Sequence, residues 1–400
     1  MFEVPSQAIE NYLSTIDKPA SAYFYDLDWL RQHVTTVVEK LPANCKMYYA
    51  IKANSEARVL QEISSLIYGY EVASAGEIKK VREAVPNASI AFGGPAKNRN
   101  DLEYALSQRV ELYHLESRLQ LQMLDQLAGQ QGVRANVLLR INPRIKLPEA
   151  TLTMGGSATQ FGIDQSELEE IFELIPQLKN LDIDGFHIHA LSNNLDYQKH
   201  LQLLDSYLQL FQDWSRKIPI KQVNVGGGIG INYQQLEQQF DWSLFCDGLS
   251  QLLTEYNIGY PVNFECGRFL SANCGYYLTE VIDIKSVREK KFALLRGGNH
   301  HFRLPSSWQH NHPFKVIHRD NWPWDFPRPS ATNEQITLCG ELCTPKDVLA
   351  SNVTVSDLAV GDSVLFVLAG AYGWHISHHD FLSHPHADLI FINSQQHKER

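Results

Sequence analysis

Short apolar runs alternate with longer amphipathic stretches through the first two-thirds of this 400-residue chain. The apolar runs contain few turn-forming residues, as is typical of strands that are buried on both faces. The longer stretches repeat apolar residues every three or four positions, most clearly at Leu204, Tyr207, Leu208, Phe211 and Trp214. Strands are predicted at residues 47–51, 69–73, 89–92, 110–115, 135–141, 181–189, 222–225 and 261–265. Their alternation with helices predicts an α/β fold, a parallel (β/α)8 TIM-type barrel over residues 31–275.

The pattern changes after about residue 276. Runs typical of strands, at 276–284, 292–295, 362–368 and 388–392, are separated by loops rich in Pro, His and Asn. They predict a C-terminal antiparallel β domain over residues 276–400. Residues 1–30 precede the barrel, and the apolar run 22–25 is interpreted as a strand that pairs with this second domain.

Composition and charge exclude several classes of protein. Hydrophobic residues at 44% and charged residues at 20% are typical of a globular chain with a large core. The formal net charge of −10 argues against a nucleic-acid partner, and no apolar run approaches the ~20 residues that span a bilayer. Met1-Phe2-Glu3-Val4-Pro5 lacks the pattern of a signal peptide, so a cytoplasmic location is expected. The six scattered cysteines are expected to be free thiols.

Polar residues and glycines lie at the predicted carboxyl ends of seven strands, where barrels gather their active sites. They are Lys52, Glu71, Gly93 with Gly94, Arg140, His189, Gly226-Gly227-Gly228 and Glu265. Lys52 ends the first apolar run, where partial desolvation favours an amine that attacks a carbonyl group. The structural alternative is a lysine whose head group extends from a core strand into solvent.

Three further features indicate which ligands the site could bind. The run Gly226-Gly227-Gly228 leaves backbone N–H groups open to an anion such as phosphate. Glu265 and Arg268 suit a protonated heteroaromatic nitrogen and a phosphate charge, or else form a structural ion pair. His187 and His189 could bind a metal, but His189 is interpreted as a flat group stacked on a ring, and no metal site is predicted.

These motifs resemble those of the fold type III pyridoxal-phosphate enzymes, the ornithine/diaminopimelate decarboxylase family, over nearly the whole chain. Tyr49-Ala50-Ile51-Lys52-Ala53-Asn54 resembles the lysine motif of the family, and Glu71-Val72-Ala73-Ser74 resembles its second-strand motif. Gly340-Glu341-Leu342-Cys343-Thr344 resembles the start of its cysteine segment. The resemblance implies an alanine racemase-like fold, pyridoxal 5'-phosphate as cofactor, and a homodimer with active sites shared across the interface.

The resemblance also implies roles for individual residues. Lys52 carries the cofactor, His189 stacks on its ring, Glu265 keeps the ring nitrogen protonated, and Cys343 acts as general acid in the partner subunit's site. The implied cofactor-binding residues are Lys52, Glu71, Arg140, His189, Ser192, Gly226, Gly227, Gly228, Glu265, Gly267, Arg268 and Tyr372. Cys266 stands where the family usually carries proline.

Departures from the family pattern concern the substrate. Thr344 occupies a position that is usually acidic in members acting on free diamino acids, so the distal end of the substrate is not expected to be a bare amine. Arg303 falls where related enzymes place a carboxylate-binding arginine, and histidines crowd the loops around it. Such a lining suits a small polycarboxylate substrate; the alternative is ordinary surface histidines or an incidental metal site. The predicted substrate-binding residues are Arg303, Thr344, His310, His312 and His379.

Longer strings, such as His189-Ala190-Leu191-Ser192-Asn193-Asn194, resemble the siderophore branch of the family, which serves staphyloferrin B biosynthesis. In that branch citrate caps the distal amine of the substrate. The resemblance therefore implies decarboxylation of citryl-diaminopropionate to citryl-ethylenediamine and CO2. Three alternatives remain: a decarboxylase of a free diamino acid (diaminopimelate, ornithine, lysine or carboxynorspermidine type), an amino-acid racemase, and a non-catalytic interaction protein.

Overall fold

The structure is a computed structural model that describes residues 4–145, 152–153, 155–156, 158–320 and 322–393. Residues 1–3 of the segment examined for a signal peptide, and residues 394–400 of the predicted β domain, lie outside these ranges. The chain divides into two compact units. The barrel unit comprises Arg31–Asn232 and Gln238–Leu270, and the β unit comprises the residues up to Leu30, Tyr233–Glu237 and the residues from Ser271 onward.

The strands, numbered in chain order, have the following bounds. They are β1 (Ser21–Asp26), β2 (Cys45–Ala50), β3 (Gly69–Val72), β4 (Ser89–Phe92), β5 (Leu112–Leu115), β6 (Ala135–Asn142), β7 (Leu152–Thr153), β8 (Ile163–Asp164), β9 (Leu181–His187), β10 (Leu191–Ser192), β11 (Gln222–Asn224), β12 (Val262–Cys266), β13 (Gly275–Val287), β14 (Lys290–Leu295), β15 (Phe314–Ile317), β16 (Ser330–Cys339), β17 (Val348–Ala359), β18 (Ser363–Phe366) and β19 (Asp388–Ile392).

The α-helices are numbered in the same way. They are α1 (Ser6–Thr15), α2 (Leu27–Glu39), α3 (Ala57–Ile63), α4 (Ala75–Ala84), α5 (Arg99–Ser107), α6 (Arg118–Gln131), α7 (Leu168–Leu174), α8 (Tyr197–Trp214), α9 (Trp242–Glu255), α10 (Arg268–Ser271) and α11 (Leu304–Trp308). Short 3₁₀ helices cover Ile51–Ala53, Gln165–Glu167, Ile175–Gln177, Ala272–Cys274, Trp374–Ile376 and Phe381–Ser383.

The barrel unit is a closed parallel barrel, as the sequence predicts. Its strands follow the order β5-β4-β3-β2-β12-β11-β9-β6, and pairing of β5 with β6 closes it. All eight correspond to the predicted strands, although β5 begins at Leu112 rather than at residue 110 and β9 ends at His187. Val110, beyond Glu111, and Ile188, directly after β9, are apolar but lie outside the strands, so hydrophobicity alone does not locate the last ladder hydrogen bond.

Buried side chains from several strands pack together in the barrel unit. Tyr48, Ala91, Leu112 and Leu138 form one buried hydrophobic cluster contributed by β2, β4, β5 and β6. Burying each large side chain of this kind contributes about 1.5–3 kcal/mol. Around the barrel, α8 buries the predicted face, including Leu204, Tyr207 and Phe211. The unit is therefore a packed barrel with a solid centre, and its strand ends are left to carry chemistry.

The β unit contains a sheet in the order β15-β18-β13-β14-β16-β17, with β1 paired to β13 and β19 paired to β1. Most of these pairings are antiparallel, as expected, but β1 with β19 and β14 with β16 are parallel. The sheet is therefore mixed. The strand at Ser21–Asp26 lies between β13 and β19, and its residues up to Tyr25 are buried because the sheet continues on both sides.

None of the helices in the described ranges combines the length and the apolar character that crossing a bilayer requires.

Candidate active site

Lys52 lies directly after β2, in the 3₁₀ helix Ile51–Ala53. Its Nζ donates a hydrogen bond to Oε2 of Glu71 at 2.9 Å, and Glu71 is on the adjacent strand β3. The Lys52 side chain is 45% exposed, whereas that of Glu71 is 5% exposed. Burial raises the pKa of Glu71, and the neighbouring Lys52 ammonium opposes this rise. The sequence predicts a partly desolvated lysine, but the buried member of the pair is the carboxylate.

Glu265 lies inside the end of β12 and is surrounded by three polar side chains. Asn224 Nδ2 donates to Glu265 Oε1 at 2.8 Å. His114 Nδ1 lies 3.3 Å from Oε1, and His187 Nε2 lies 3.4 Å from Oε2. Burial holds the pKa of both histidines well below the usual range, so both rings are neutral beside the carboxylate. Glu265 is therefore an oriented acceptor in a buried setting.

Glu265 and the two histidines form the group of potential metal ligands found in the described part of the chain. Ligand atoms of His114, His187 and Glu265 all lie within 4.8 Å of one another. From the sequence, His187 and His189 are a possible metal pair, and no metal site is predicted. The structure instead places His187 beside His114, on β5, a residue that the sequence analysis does not select.

His189 follows β9 and is only half-buried, and it contacts the glycine turn. The backbone N–H of Gly227 donates to His189 Nδ1 at 3.2 Å. Gly226 has a φ of +69°, and a Cβ there would lie 2.3 Å from His189 Nδ1. A side chain at residue 226 would therefore collide with the ring, which explains why glycine is needed there. The predicted glycine turn and the predicted stacking histidine are thus brought together.

Arg140, on β6, makes a buried ion pair. Its Nη1 lies 2.7 Å from Oε1 of Glu116, and both side chains are less than a tenth exposed. The other oxygen of Glu116 accepts a hydrogen bond from the Gly162 backbone N–H at 2.8 Å. The Arg140 guanidinium also lies over the Phe161 ring at 4.9 Å. Glu116 was not selected from the sequence, because nothing in the residues around it indicates that it pairs with Arg140.

Lys97 is a second residue that the sequence analysis missed. Its ammonium is buried and donates to the backbone oxygens of Gly94 and His114, at 2.5 and 2.6 Å. Burial lowers the pKa of Lys97 to about 7. Lys97 therefore joins the glycine pair after β4 to the neighbouring strand β5. Gly93-Gly94 was selected from the sequence as part of the barrel rim, but Lys97, three residues after Gly94, was not.

The remaining predicted residues of the barrel unit lie at the same strand ends. Ser192 is in β10, which begins shortly after His189. Gly267 and Arg268 directly follow β12, and Arg268 is 7% exposed at the start of α10. They lie at the exits of the sixth and eighth barrel strands, and their part in a site stays a prediction.

In the β unit, the residues predicted to bind the substrate or the cofactor, or to act as general acid, lie in different loops. Cys343 is exposed and Thr344 half-buried in the turn between β16 and β17. Arg303 is exposed before α11, and its backbone N–H donates to Ser377 Oγ at 3.0 Å. Tyr372 is half-buried with a φ of +54°.

The three predicted histidines of the β unit are engaged within it. His310 Nε2 and His312 Nδ1 are joined by a 3.0 Å hydrogen bond, and His312 Nε2 donates to the Val367 carbonyl at 2.7 Å. The His379 ring stacks on the Trp374 ring with 3.6 Å between the centroids, and His379 Nε2 donates a hydrogen bond to the Trp374 carbonyl. Both ring nitrogens of the buried His312 are thus engaged inside the unit, which favours a structural contribution over the substrate contact predicted for it.

Comparison with known proteins gives this geometry a family. Residues 27–272 match the family described as pyridoxal-dependent decarboxylase, pyridoxal binding domain. The chain is 44% identical over 396 residues to 2-[(L-alanin-3-ylcarbamoyl)methyl]-2-hydroxybutanedioate decarboxylase of Staphylococcus aureus, covering 98% of this chain and 99% of the relative. This chain belongs to the pyridoxal-dependent decarboxylase family. The predicted cofactor, pyridoxal phosphate, and the predicted decarboxylase activity are confirmed, and the racemase and non-catalytic alternatives are set aside.

Other pyridoxal-dependent decarboxylases match over most of the chain. A diaminopimelate decarboxylase of Bacteroides thetaiotaomicron is 30% identical over 362 residues, with 88% of this chain and 90% of the relative covered. The crystal structure of diaminopimelate decarboxylase from Helicobacter pylori complexed with L-lysine has a TM-score of 0.84 at 24% identity, covering 96% of this chain and 94% of that one. The structural likeness confirms the fold.

The barrel rim fits the cofactor of this family. Lys52 offers an amine, Glu265 a buried carboxylate, and the glycine turn a stretch of backbone without side chains. Strand β12 is paired with both β2 and β11, so these three groups stand at the ends of adjacent strands. The ring nitrogens of His114 and His187 are buried beside Glu265, and none of them has an aligned hydrogen-bond partner among the described residues. Buried polar atoms without such partners are expected where a ligand binds.

Proposed function

We propose that this chain removes the α-carboxylate of an alanine unit whose C3 is joined through an amide to a citrate-derived dicarboxylate, releasing CO2. One observation carries the proposal: 44% identity over nearly the full length of both chains to the Staphylococcus aureus enzyme whose name describes that compound. Thr344, uncharged in the turn after β16, supports it because the amide-capped end of such a substrate carries no ammonium. Free diaminopimelate is the competing substrate, favoured by the more distant relatives.

Different residues of the barrel unit have different roles at the cofactor. When bound, the cofactor supplies an electron-withdrawing ring that accepts the electron pair left as CO2 departs. Lys52 would hold the cofactor through its amine, and Glu71 keeps that amine at the end of β2. Glu265 would accept a hydrogen bond from the ring nitrogen and keep it protonated, and His189 would stack on the ring.

The anionic end of the cofactor is assigned to the glycine turn and its neighbours. The glycine turn lets its backbone approach a phosphate without interfering side chains. The Gly226 N–H is held by Asn224 and the Gly227 N–H by His189, so the Gly228 N–H is the donor of the turn assigned to the phosphate. Arg268 and Ser192 add charge and a hydroxyl at the neighbouring strand ends. Arg140 stays paired with Glu116, so its part is to support the site through a fixed guanidinium. Gly267 and Tyr372 keep the cofactor-binding roles that the family resemblance implies.

Cys343 is proposed as the general acid that returns a proton to the α-carbon. Its exposure in the described chain suits a residue that completes the site of a second copy, and we propose a homodimer with shared sites. Arg303 and His310 are assigned to the carboxylates of the substrate. A cytoplasmic location is part of the same proposal.

The first test offers the cofactor-loaded protein the citryl compound beside free ornithine, lysine and diaminopimelate, and measures CO2 with mass spectrometry of the product. Turnover of the citryl compound alone is expected. Preference for a free diamino acid would leave the family chemistry in place and overturn the substrate assignment.

The second test concerns Cys343. Cys343→Ala is expected to lower the rate by about 100-fold, and Cys339→Ala, a half-buried cysteine at the end of β16, serves as matched control. Mixing inactive Lys52→Ala and Cys343→Ala proteins should restore about a quarter of the activity if sites are shared, because half of the dimers then hold one intact site. No restoration would place Cys343 in its own chain's site.

A further inference from the structure

Asn224 connects two parts of the cofactor site, the glycine turn at Gly226 and the carboxylate of Glu265, which are about forty residues apart in the sequence. It is fully buried at the end of β11. Its Nδ2 donates to Oε1 of Glu265 at 2.8 Å, and its Oδ1 accepts from the Gly226 N–H at 2.8 Å. Because a carboxylate only accepts and a backbone N–H only donates, these two partners determine which way the amide faces.

The contacts around Asn224 reinforce this connection. The Glu265 N–H donates to the Gly226 carbonyl at 2.8 Å. A Cβ at Gly227 would lie 2.1 Å from the Glu265 carbonyl oxygen, so the glycine turn is packed directly on β12. The His114 and His187 nitrogens are farther from the Glu265 carboxylate, at 3.3 and 3.4 Å. Asn224 therefore makes the short side-chain hydrogen bond to this carboxylate.

We propose that Asn224 is a positioning residue that couples Glu265 to the glycine turn. By engaging Oε1, it would leave Oε2 for the ring nitrogen. By accepting from the Gly226 N–H, it would hold in place the turn whose backbone binds the phosphate. The ring-nitrogen end and the phosphate end of the cofactor are thus held in one geometry by one amide. This inference rests on the cofactor roles proposed for Glu265 and for Gly226 to Gly228.

The coupling has a measurable consequence in binding. A carboxylate that loses its oriented donor discriminates less well between a ring with N–H and a ring with C–H at the same place. A glycine turn that loses its acceptor discriminates less well between ligands with and without a phosphate. Removing Asn224 should therefore reduce both discriminations together, whereas a general loss of stability should lower all affinities by the same factor.

The experiment measures dissociation constants of the cofactor-free protein for three ligands: pyridoxal phosphate, its 1-deaza analogue and pyridoxal. Asn224→Leu removes both hydrogen bonds at similar volume, and Asn224→Ala is a second variant should the first fold poorly. Asn263→Leu is the matched control, since Asn263 is equally buried, pairs in register with Asn224, and donates to Gln222 Oε1 instead. Circular dichroism and thermal melting compare the folding of all variants.

We expect the Asn224 variants to lose about tenfold or more in each affinity ratio, pyridoxal phosphate over the deaza analogue and over pyridoxal. Asn263→Leu should keep both ratios. Equal losses for all three ligands, or unchanged ratios in the Asn224 variants, would overturn the inference while leaving Glu265 in place. A wild-type protein that binds the deaza analogue as tightly as the cofactor would overturn the role of Glu265 itself, and with it the inference.

Discussion

Lys52 Nζ lies 2.9 Å from Glu71 Oε2, with the carboxylate buried and the amine nearly half exposed. Burial raises the pKa of Glu71, so the folded protein holds this proton more tightly than the unfolded chain does. The stability that this group contributes is therefore present in acid and lost as the pH rises through the raised pKa. At neutral pH the ion pair with Lys52 offsets only part of the cost of burying the charge.

Glu71→Gln should consequently raise the unfolding free energy of the cofactor-free protein at neutral pH, with the gain shrinking toward acid. Urea unfolding at several pH values measures this. Glu103→Gln, in an exposed ion pair with Arg99, should show no such pH dependence. Lower stability of Glu71→Gln at neutral pH would mean that the ion pair outweighs the burial cost.

Lys97→Met should change how stability depends on pH. The pKa of Lys97 is lowered by burial from 10.5 to about 7, so the unfolded chain holds the extra proton between these values and stability rises with pH there. The wild type should gain about 1.4 kcal/mol per pH unit relative to Lys97→Met between about pH 7.5 and 9.5. Lys79→Met, at an exposed lysine of α4, is the control. Parallel stability curves for wild type and Lys97→Met would contradict the buried, titrating ammonium.

Glu116→Ala should destabilise the protein strongly, because it leaves the buried Arg140 guanidinium without its 2.7 Å partner. The expected loss is about 3–5 kcal/mol, against about 0.5 kcal/mol or less for Glu103→Ala at the surface. The double variant Glu116→Ala/Arg140→Ala should recover part of the loss, as measured by denaturant unfolding. Strictly additive effects would show that the two residues act independently.

Gly226→Ala and Gly132→Ala make a matched pair. Both glycines have positive φ, +69° and +65°, but a Cβ at Gly226 meets His189 at 2.3 Å while a Cβ at Gly132 meets nothing within 4 Å. Gly132→Ala should therefore cost about 1 kcal/mol from the backbone alone. Gly226→Ala should cost more and weaken cofactor binding by at least about tenfold, because His189 has to move. Equal costs and normal cofactor affinity would show that the turn does not depend on this contact.

Thr344→Glu tests the substrate assignment. If the distal end of the substrate carries carboxylates, a new negative charge in this turn should lower kcat/KM for the citryl compound by about tenfold or more. Thr344→Ser keeps the hydroxyl that accepts the Lys346 N–H and should stay close to wild type. Improved turnover of the citryl compound by Thr344→Glu would reverse the proposed polarity of this position.

The barrel strands could be predicted because they are local features: each is an apolar run long enough to cross the barrel once, bounded by polar or small residues. The rim residues followed from the same pattern, since parallel strands place their carboxyl ends together. Lys52, Glu71, His189 and Glu265 were therefore selected as candidates from position and residue type. The β unit was less predictable, because whether a neighbouring strand runs parallel, as β16 does beside β14, depends on pairing between distant segments.

The sequence by itself thus determined the order of the strands and the barrel, which depend on residue type and spacing along the chain, and the resemblance of its motifs to a known family implied the cofactor. Only the tertiary structure decided the partners of each functional group. Barrel closure between β5 and β6 brings His114 and Glu116 to the site rim from one strand end, and pairing of β11 with β12 brings Asn224 to Glu265. Such contacts join residues far apart in sequence, and a buried polar group becomes functional only once its partner and its loss of solvent are both in place.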